Sequence, residues 1–131
     1  MKIVSLIPSA TEIISSLGLI NNLIGVSHEC DNPKEVIYLP KLTKSVIKVK
    51  QSSLEIDKDI GKILSLGLSV YEVKSELLKK LNPDVIITQS QCSVCAVSLN
   101  DVEKGLQKWV KNKPSLIDLK PNTLDDILKD I

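Results

Sequence analysis

The single histidine and the three cysteines of this chain fall in two short stretches, Ser27-His28-Glu29-Cys30-Asp31 and Gln89-Ser90-Gln91-Cys92-Ser93-Val94-Cys95. Two residues separate Cys92 from Cys95, a spacing that lets both sulfurs face one metal ion or each other as a redox pair. With His28 and Cys30 they would complete a tetrahedral nitrogen and sulfur set suited to zinc. The competing reading is that the cysteines are small, partly buried free thiols and that His28 is a loop residue bonded to nearby backbone. Glu29 and Asp31 form a carboxylate pair of the kind acid–base chemistry employs, although carboxylates in turns are usually solvated or cap local N–H groups. No Ser-His-Asp arrangement, phosphate-binding loop or dinucleotide fingerprint accompanies them. A nucleophile with an evident base is lacking, so binding is expected and catalysis is not.

The two stretches can act together only if the fold brings them to one place. In an open parallel α/β sheet the loops that follow the strands gather at one edge, where helix N-termini point their free N–H groups outward. The aliphatic runs Lys2 to Ile7, Leu23 to Ser27, Asp84 to Thr88 and Ser115 to Leu119 read as strands of such a sheet. Ser9 and Glu12 have capping-box spacing and open a helix that Gly18 closes, and strand, helix, strand in that compass is a right-handed βαβ unit. Ser9 reads as the cap of this helix, whose spare N–H donors suit a ligand carboxylate, phosphate or amide oxygen.

Further along, Ser52 and Glu55 repeat the capping pattern and start a helix ending at Gly67. Ser75 to Leu81 is a helix stopped by Asn82-Pro83, and Val70-Tyr71 adds a short extended piece. Asn100 to Val110 is a helix in which Trp109 packs rather than binds, and Asn122 or Thr123 caps a last amphipathic helix. His28 to Ser52 shows no periodicity and reads as a surface excursion with a turn of helix near Lys34 to Val36. The expected architecture is a three-layer, Rossmann-like α/β lobe with a mainly parallel sheet of about four strands flanked by helices. The candidate ligand-binding residues are those beyond the strands: Pro8, Ser9, Ser27, His28, Glu29, Asp31, Gln89 and Gln91.

Composition fits this frame. A chain of 131 residues suits one domain, and with 43% apolar but 2% aromatic residues and no Phe the core must be built from Ile, Leu and Val. Seventeen basic residues against sixteen acidic ones leave a net charge of +1 with no block of one sign, which argues against a nucleic-acid partner. The opening MKIVSLIP breaks at Pro8, too early for a signal sequence, and no apolar run spans a membrane. Three cysteines cannot all pair within the chain, so reduced thiols and a cytoplasmic location are expected of the sequence as written. An exported protein trimmed of its leader would start the same way and belong in the periplasm or at the cell surface.

Taken together, IVSLIPSATEIISSLGL, IGVSHECDNP, LPKLT and LNPDVIITQSQC resemble the N-terminal lobe of the vitamin B12-binding protein family, the receptors of ABC importers in which two α/β lobes are joined by one rigid helix. The S-x-x-P-S-x-T-E pattern and the NPDVI strand are its most specific pieces, and residues 44–71 form an added segment. The resemblance implies a lobe over residues 1–121 and the start of the connecting helix over 122–131, with the second lobe absent from this chain. It further implies a corrinoid or another metal chelate as ligand, no required cofactor, and ABC permease subunits as partners. Glu76, with Glu55 as second choice, matches the carboxylate that docks on permease arginines. Where cobalamin-holding relatives place aromatic rings, this chain has Glu29, Lys44 and Gln89, so the apolar surface for a corrin ring is expected to be missing. A more polar ligand, a metal chelate or a bare metal ion suits these residues comparably well. Two alternatives remain at this level: a cytosolic metal or redox module built on Cys92, Cys95, Cys30 and His28, and a homodimer joined through Leu124, Ile127, Leu128 and Ile131.

Overall fold

The computed structural model describes residues 1–47, 52–65, 70–91, 102, 103, 106 and 113–131. The strands are β1 (Ile3–Ser5), β2 (Leu23–Val26), β3 (Thr43–Ser45), β4 (Tyr71–Val73), β5 (Val85–Gln89) and β6 (Ser115–Leu119). The α-helices whose bounds lie among the described residues are α1 (Pro8–Ser16), α2 (Ser53–Ser65), α3 (Ser75–Leu81) and α4 (Leu124–Asp130). β2, β1, β5 and β6 lie side by side in that order, every pair parallel. Both faces of this sheet are covered at its centre, which is why its strands read as aliphatic runs without alternation. Val4, Leu6 and Ile86 pack on one side with Leu42, Val73, Leu78, Val102 and Leu106. Ile3 and Leu23 pack on the other with Ile14, Val26, Cys30 and Val36. The three-layer α/β lobe read from the sequence is the observed architecture.

The ends of α1 show which local signals acted. Ile7 is the N-cap, Pro8 stands in the first turn and no side chain caps the helix. Ser9 is therefore not the cap the spacing suggested but an exposed residue of the first turn. Proline at the first helical position needs no N–H partner and arrives with a helical φ, so it starts the helix one residue earlier than Ser9 would. The C-terminus follows expectation. Gly18 adopts φ +75°, its N–H reaches Ser15 O at 2.9 Å, and Leu19 N reaches Ile14 O at 3.0 Å. These two bonds form a Schellman motif, which glycine closes without a Cβ penalty. The box at Ser52 and Glu55 forms as expected, and Thr123, one of the two expected caps of the last helix, forms a box with Asp126 before α4.

The segment expected to be a surface excursion has the expected helical turn, over Lys34–Tyr38, but some of its described residues enter the core. Leu42 N donates to Val26 O at 2.8 Å, Val26 N to Pro40 O at 3.0 Å, and Lys74 N to Leu42 O at 2.8 Å. Thr43 pairs antiparallel with Val73, Lys44 with Glu72 and Ser45 with Tyr71. Val36, Leu42 and Thr43 are fully buried. Their apolar positions are isolated between prolines and lysines, so no period marks them, and their pairing partners lie beyond α2. Gly25 admits this packing, since a Cβ there would stand 2.7 Å from Leu42 Cδ1 and 3.1 Å from Leu81 Cδ1.

Among the described residues the sheet is less well covered over β5 and β6, where an apolar groove of about 220 Å³ runs between Ile13 of α1, its C-cap Leu17, and Val85, Ile117 and Leu119. Leu124, Ile127, Leu128 and Ile131 of the last helical segment are exposed.

Candidate functional site

Parallel pairing puts the ends of β1, β2, β5 and β6 on one edge, and the loops that follow them form a rim. Ser27 N donates to Ser5 O at 2.9 Å and Leu6 N to Ile87 O at 2.8 Å, so adjacent strands stay paired up to that edge. β1 lies between β2 and β5, which sets the His28 and Gln89 ends of the rim two strand spacings apart, about 10 Å. Pro8 and Ser9, at the start of α1, follow the strand between them.

At the β2 end, a buried hydroxyl organises the loop. Thr43 Oγ1, fully buried at the start of β3, receives His28 N–H at 3.0 Å and lies 3.0 Å from Ser27 Oγ and 2.7 Å from His28 Nδ1. Ser27 Oγ in turn accepts from Glu29 N at 3.3 Å. The imidazole is thus fixed through one ring nitrogen and its own backbone. Its other face meets the Tyr71 ring, with centroids 5.3 Å apart at an interplanar angle of 58°. Burial, and then the negative charge of Glu29, push the Tyr71 phenol above its usual range. His28 Nε2 is buried and lies 3.0 Å from Glu29 Oε1 without a hydrogen bond to it. Thr43, His28 and Glu29 thus stand in the sequence of a catalytic triad, yet the hydroxyl that would have to attack is sealed in the core. The arrangement orients an imidazole; it exposes no nucleophile.

Cys30 turns away from this loop. Its sulfur lies 3.2 Å from Thr11 Oγ1 beneath α1, and Thr11 also donates to Ser5 Oγ at 2.9 Å. Burial raises the Cys30 thiol above its ordinary value, an effect the Thr11 bond offsets in part. Its carbonyl accepts from Lys41 Nζ at 2.7 Å. Cys92 and Cys95 lie outside the described residues, as does Trp109. Among the described residues no group of three His, Cys, Asp or Glu side chains is spaced to hold a metal ion.

The β5 end is a separate polar cluster. Ser90 Oγ donates to Asp118 Oδ2 at 2.7 Å, and Lys120 Nζ lies 2.9 Å from the same oxygen. Burial raises the Asp118 carboxyl, but the bonds from Ser90 and Lys120 and the ammonium charge outweigh it and hold the group below the usual carboxylate range. Gln89 Nε2 donates to Gln91 Oε1 at 2.9 Å, and Gln91 Nε2 to Asn122 Oδ1 at 3.2 Å. These amides tie the loop after β5 to the turn before α4. Of the remaining candidates, Asp31 is exposed in the loop after β2. Glu76 is exposed in the first turn of α3. Glu55, also in a first turn, receives bonds from Ser52 that lower its pKa.

Sequence reasoning missed Thr43 and Tyr71. Threonine in a polar stretch carries no signal of its own, and Tyr71 reaches His28 only through the β3–β4 pairing. Tyr71, from the segment read as an addition, places an aromatic ring against His28 that the positions Glu29, Lys44 and Gln89 did not foretell.

The sequence matches no protein-family model and no curated protein. Solved structures do resemble it. The periplasmic vitamin B12-binding protein BtuF of Vibrio cholerae superposes with a TM-score of 0.61 at 22% identity over 98% of this chain. A possible iron-binding, periplasmic solute-binding protein from Staphylococcus epidermidis does so with 0.61 at 24% identity, also over 98%. The periplasmic heme-binding protein RhuT from Roseiflexus sp. RS-1 gives 0.55 at 22% identity over 98%. The chain spans 38%, 38% and 40% of these proteins' own lengths. The resemblance read from the motifs therefore holds in three dimensions: the chain has the fold of one lobe, the N-terminal one, of periplasmic binding proteins of the vitamin B12 and heme type.

Proposed function

We propose that this chain is a solute-binding lobe of an ABC-importer receptor and that it takes a metal-centred solute, a corrinoid or another metal chelate, at the rim beyond its parallel strands. The observation that carries the reading is the imidazole of His28, held by Thr43 at 2.7 Å and backed by the Tyr71 ring, at the carboxyl edge of a parallel sheet where such folds bind ligands. The structural neighbours support it, because those named above bind vitamin B12, heme or, for one, possibly iron, and none is described as an enzyme. In this reading the rim is one wall of a cleft whose other wall is a second lobe, supplied by further chain or by a second copy. Glu76, exposed in the first turn of α3, is the surface carboxylate for permease docking, and Glu55 is the second candidate.

The test is titration of aquacobalamin, cobinamide, hemin and ferric chelates into isotope-labelled protein, followed through backbone amide shifts. Shifts centred on Ser27, His28, Glu29, Thr43 and Ser90 support the proposal. Absence of binding for all of them at high micromolar concentration, or shifts confined to the opposite edge near Asp84, refutes it.

A further inference from the structure

We infer that two copies of this chain associate as a symmetric dimer in which the apolar stripe of α4 from each copy seats in the groove over β5 and β6 of the other. The inference goes beyond the solute-binding reading and does not depend on it. It starts from which side of α4 meets its own lobe. Leu124, Ile127 and Leu128 of α4 and its C-cap Ile131 recur at the spacing of one helical stripe, and they are between 43% and 71% exposed. The least exposed residues of the helix are Asp126 and Asp130, one turn apart on the opposite side, and Asp130 borders the groove. The helix thus turns its acidic side toward its own lobe and its apolar side away. This reverses the usual order, in which an amphipathic helix buries its apolar stripe against its own core. Among the described residues nothing covers the stripe, so its cover has to come from another surface.

The same chain carries a surface of the matching shape. The groove has a volume of about 220 Å³, and Leu17 and Ile117 on its walls are exposed. The α4 of the same copy does not fill it, because that helix borders the groove through Asp130 with its apolar residues on the far side. A ridge and a groove on one molecule, neither satisfied within it, are the two halves of an isologous contact. A two-fold axis then makes each copy give its ridge and receive the other's. A partner of another kind would have to offer both shapes at once, whereas a second copy does so by symmetry. The extent of the surface agrees. With Met1 at one end of the groove, the exposed apolar residues named here present on the order of 700 Å², close to the about 800 Å² that each partner buries in a stable interface of standard size. Ser27, His28, Gln89 and Ser90 do not line the groove, so the contact does not use the rim.

Sedimentation velocity of the untagged protein, from low micromolar to near-millimolar concentration, gives the first measurement. The wild type is expected to pass from monomer to dimer over this range with no larger species. Leu128→Glu charges the ridge and Ile117→Lys charges the groove. Both replace exposed side chains and keep the fold, which melting curves verify; where one does not, Leu124→Glu or Leu17→Lys takes its place on the same feature. Each variant alone is expected to dimerise at least about tenfold more weakly, since both contacts of its dimer then bury an unpaired charge. An equimolar mixture of the two is expected to dimerise at least about tenfold more tightly than either alone. A mixed pair joins the new carboxylate to the new ammonium at one contact and leaves the other contact wild type. A wild type that stays monomeric at every concentration overturns the inference, as does a ladder of larger species, the mark of a one-way contact. So does a dimer that survives both substitutions. If each variant is monomeric and the mixture is too, stripe and groove do not meet and the inference falls. None of these outcomes bears on solute binding at the rim, which the amide-shift titration reads separately.

Discussion

Thr43 shows how much one buried hydroxyl can organise. It satisfies His28 N–H, reaches the imidazole and meets Ser27, all from a fully buried position. Thr43→Val keeps the shape of the side chain but leaves these groups without their partner, and the expected loss is about 1–3 kcal/mol of folding stability in urea denaturation. Cys30 makes a contrasting case. Its sulfur is packed against Thr11 and its thiol is pushed up by burial, so Cys30 should resist alkylation in the folded protein and react once the chain is unfolded. Peptide mapping after pulsed iodoacetamide checks this, and rapid native labelling of Cys30 would contradict the packing described. Asp118 predicts an acid response. Because its folded pKa is depressed, its ionised form stabilises the protein above the ordinary carboxylate range, and this contribution is lost as pH falls through the lowered value. Asp118→Asn should remove that part of the loss, so its stability should fall less than the wild type's on acidification. None of these roles can be read from residue type alone, since threonine, cysteine and aspartate have many uses and only a neighbour selects one.

At the scale of elements, two glycines separate backbone demand from space. Gly18 stands in the left-handed region with open surroundings, so Gly18→Ala pays only for conformation, about 1 kcal/mol. Gly25 has no such φ but leaves no room. Gly25→Ala would drive a methyl into Leu42, which is fully buried and cannot retreat, and the cost should be larger, about 1–3 kcal/mol. Chemical denaturation of the two variants tests the ranking. Helix boundaries were legible where a local chemical device set them. Ser75 to Leu81, stopped by Asn82-Pro83, was found as expected, with Asn82 at φ 48°. Ser9 misled because a proline beside a potential cap starts the helix by a different device. The β3–β4 pair was not legible at all, because antiparallel pairing of Thr43–Ser45 with Tyr71–Val73 joins stretches separated by a whole helix.

For the molecule as a whole, the strand order predicts a hierarchy of opening. β1 sits between β2 and β5 with Val4 at 0% exposure, whereas β3 and β4 form a separate two-stranded sheet. Amides of Val4 and Ile86 should exchange only with global unfolding, and those of β3 and β4 should exchange by a smaller, easier opening. Native-state hydrogen exchange in low urea measures both, and equal protection would contradict the order. What the sequence by itself determined is the architecture: aliphatic runs without alternation require a sheet buried on both faces, and their spacing by helices with local start and stop signals requires parallel order. It also determined which loops share an edge, since that follows from parallel order. The tertiary structure alone decided what each rim residue does there. It turned Cys30 into the core, set Thr43 behind His28, brought Tyr71 against the ring and placed Glu29 beside Nε2. The physical reason is range. Periodicity and capping act within a turn or a strand, while a site is made of contacts between distant segments, whose geometry follows from how the layers pack.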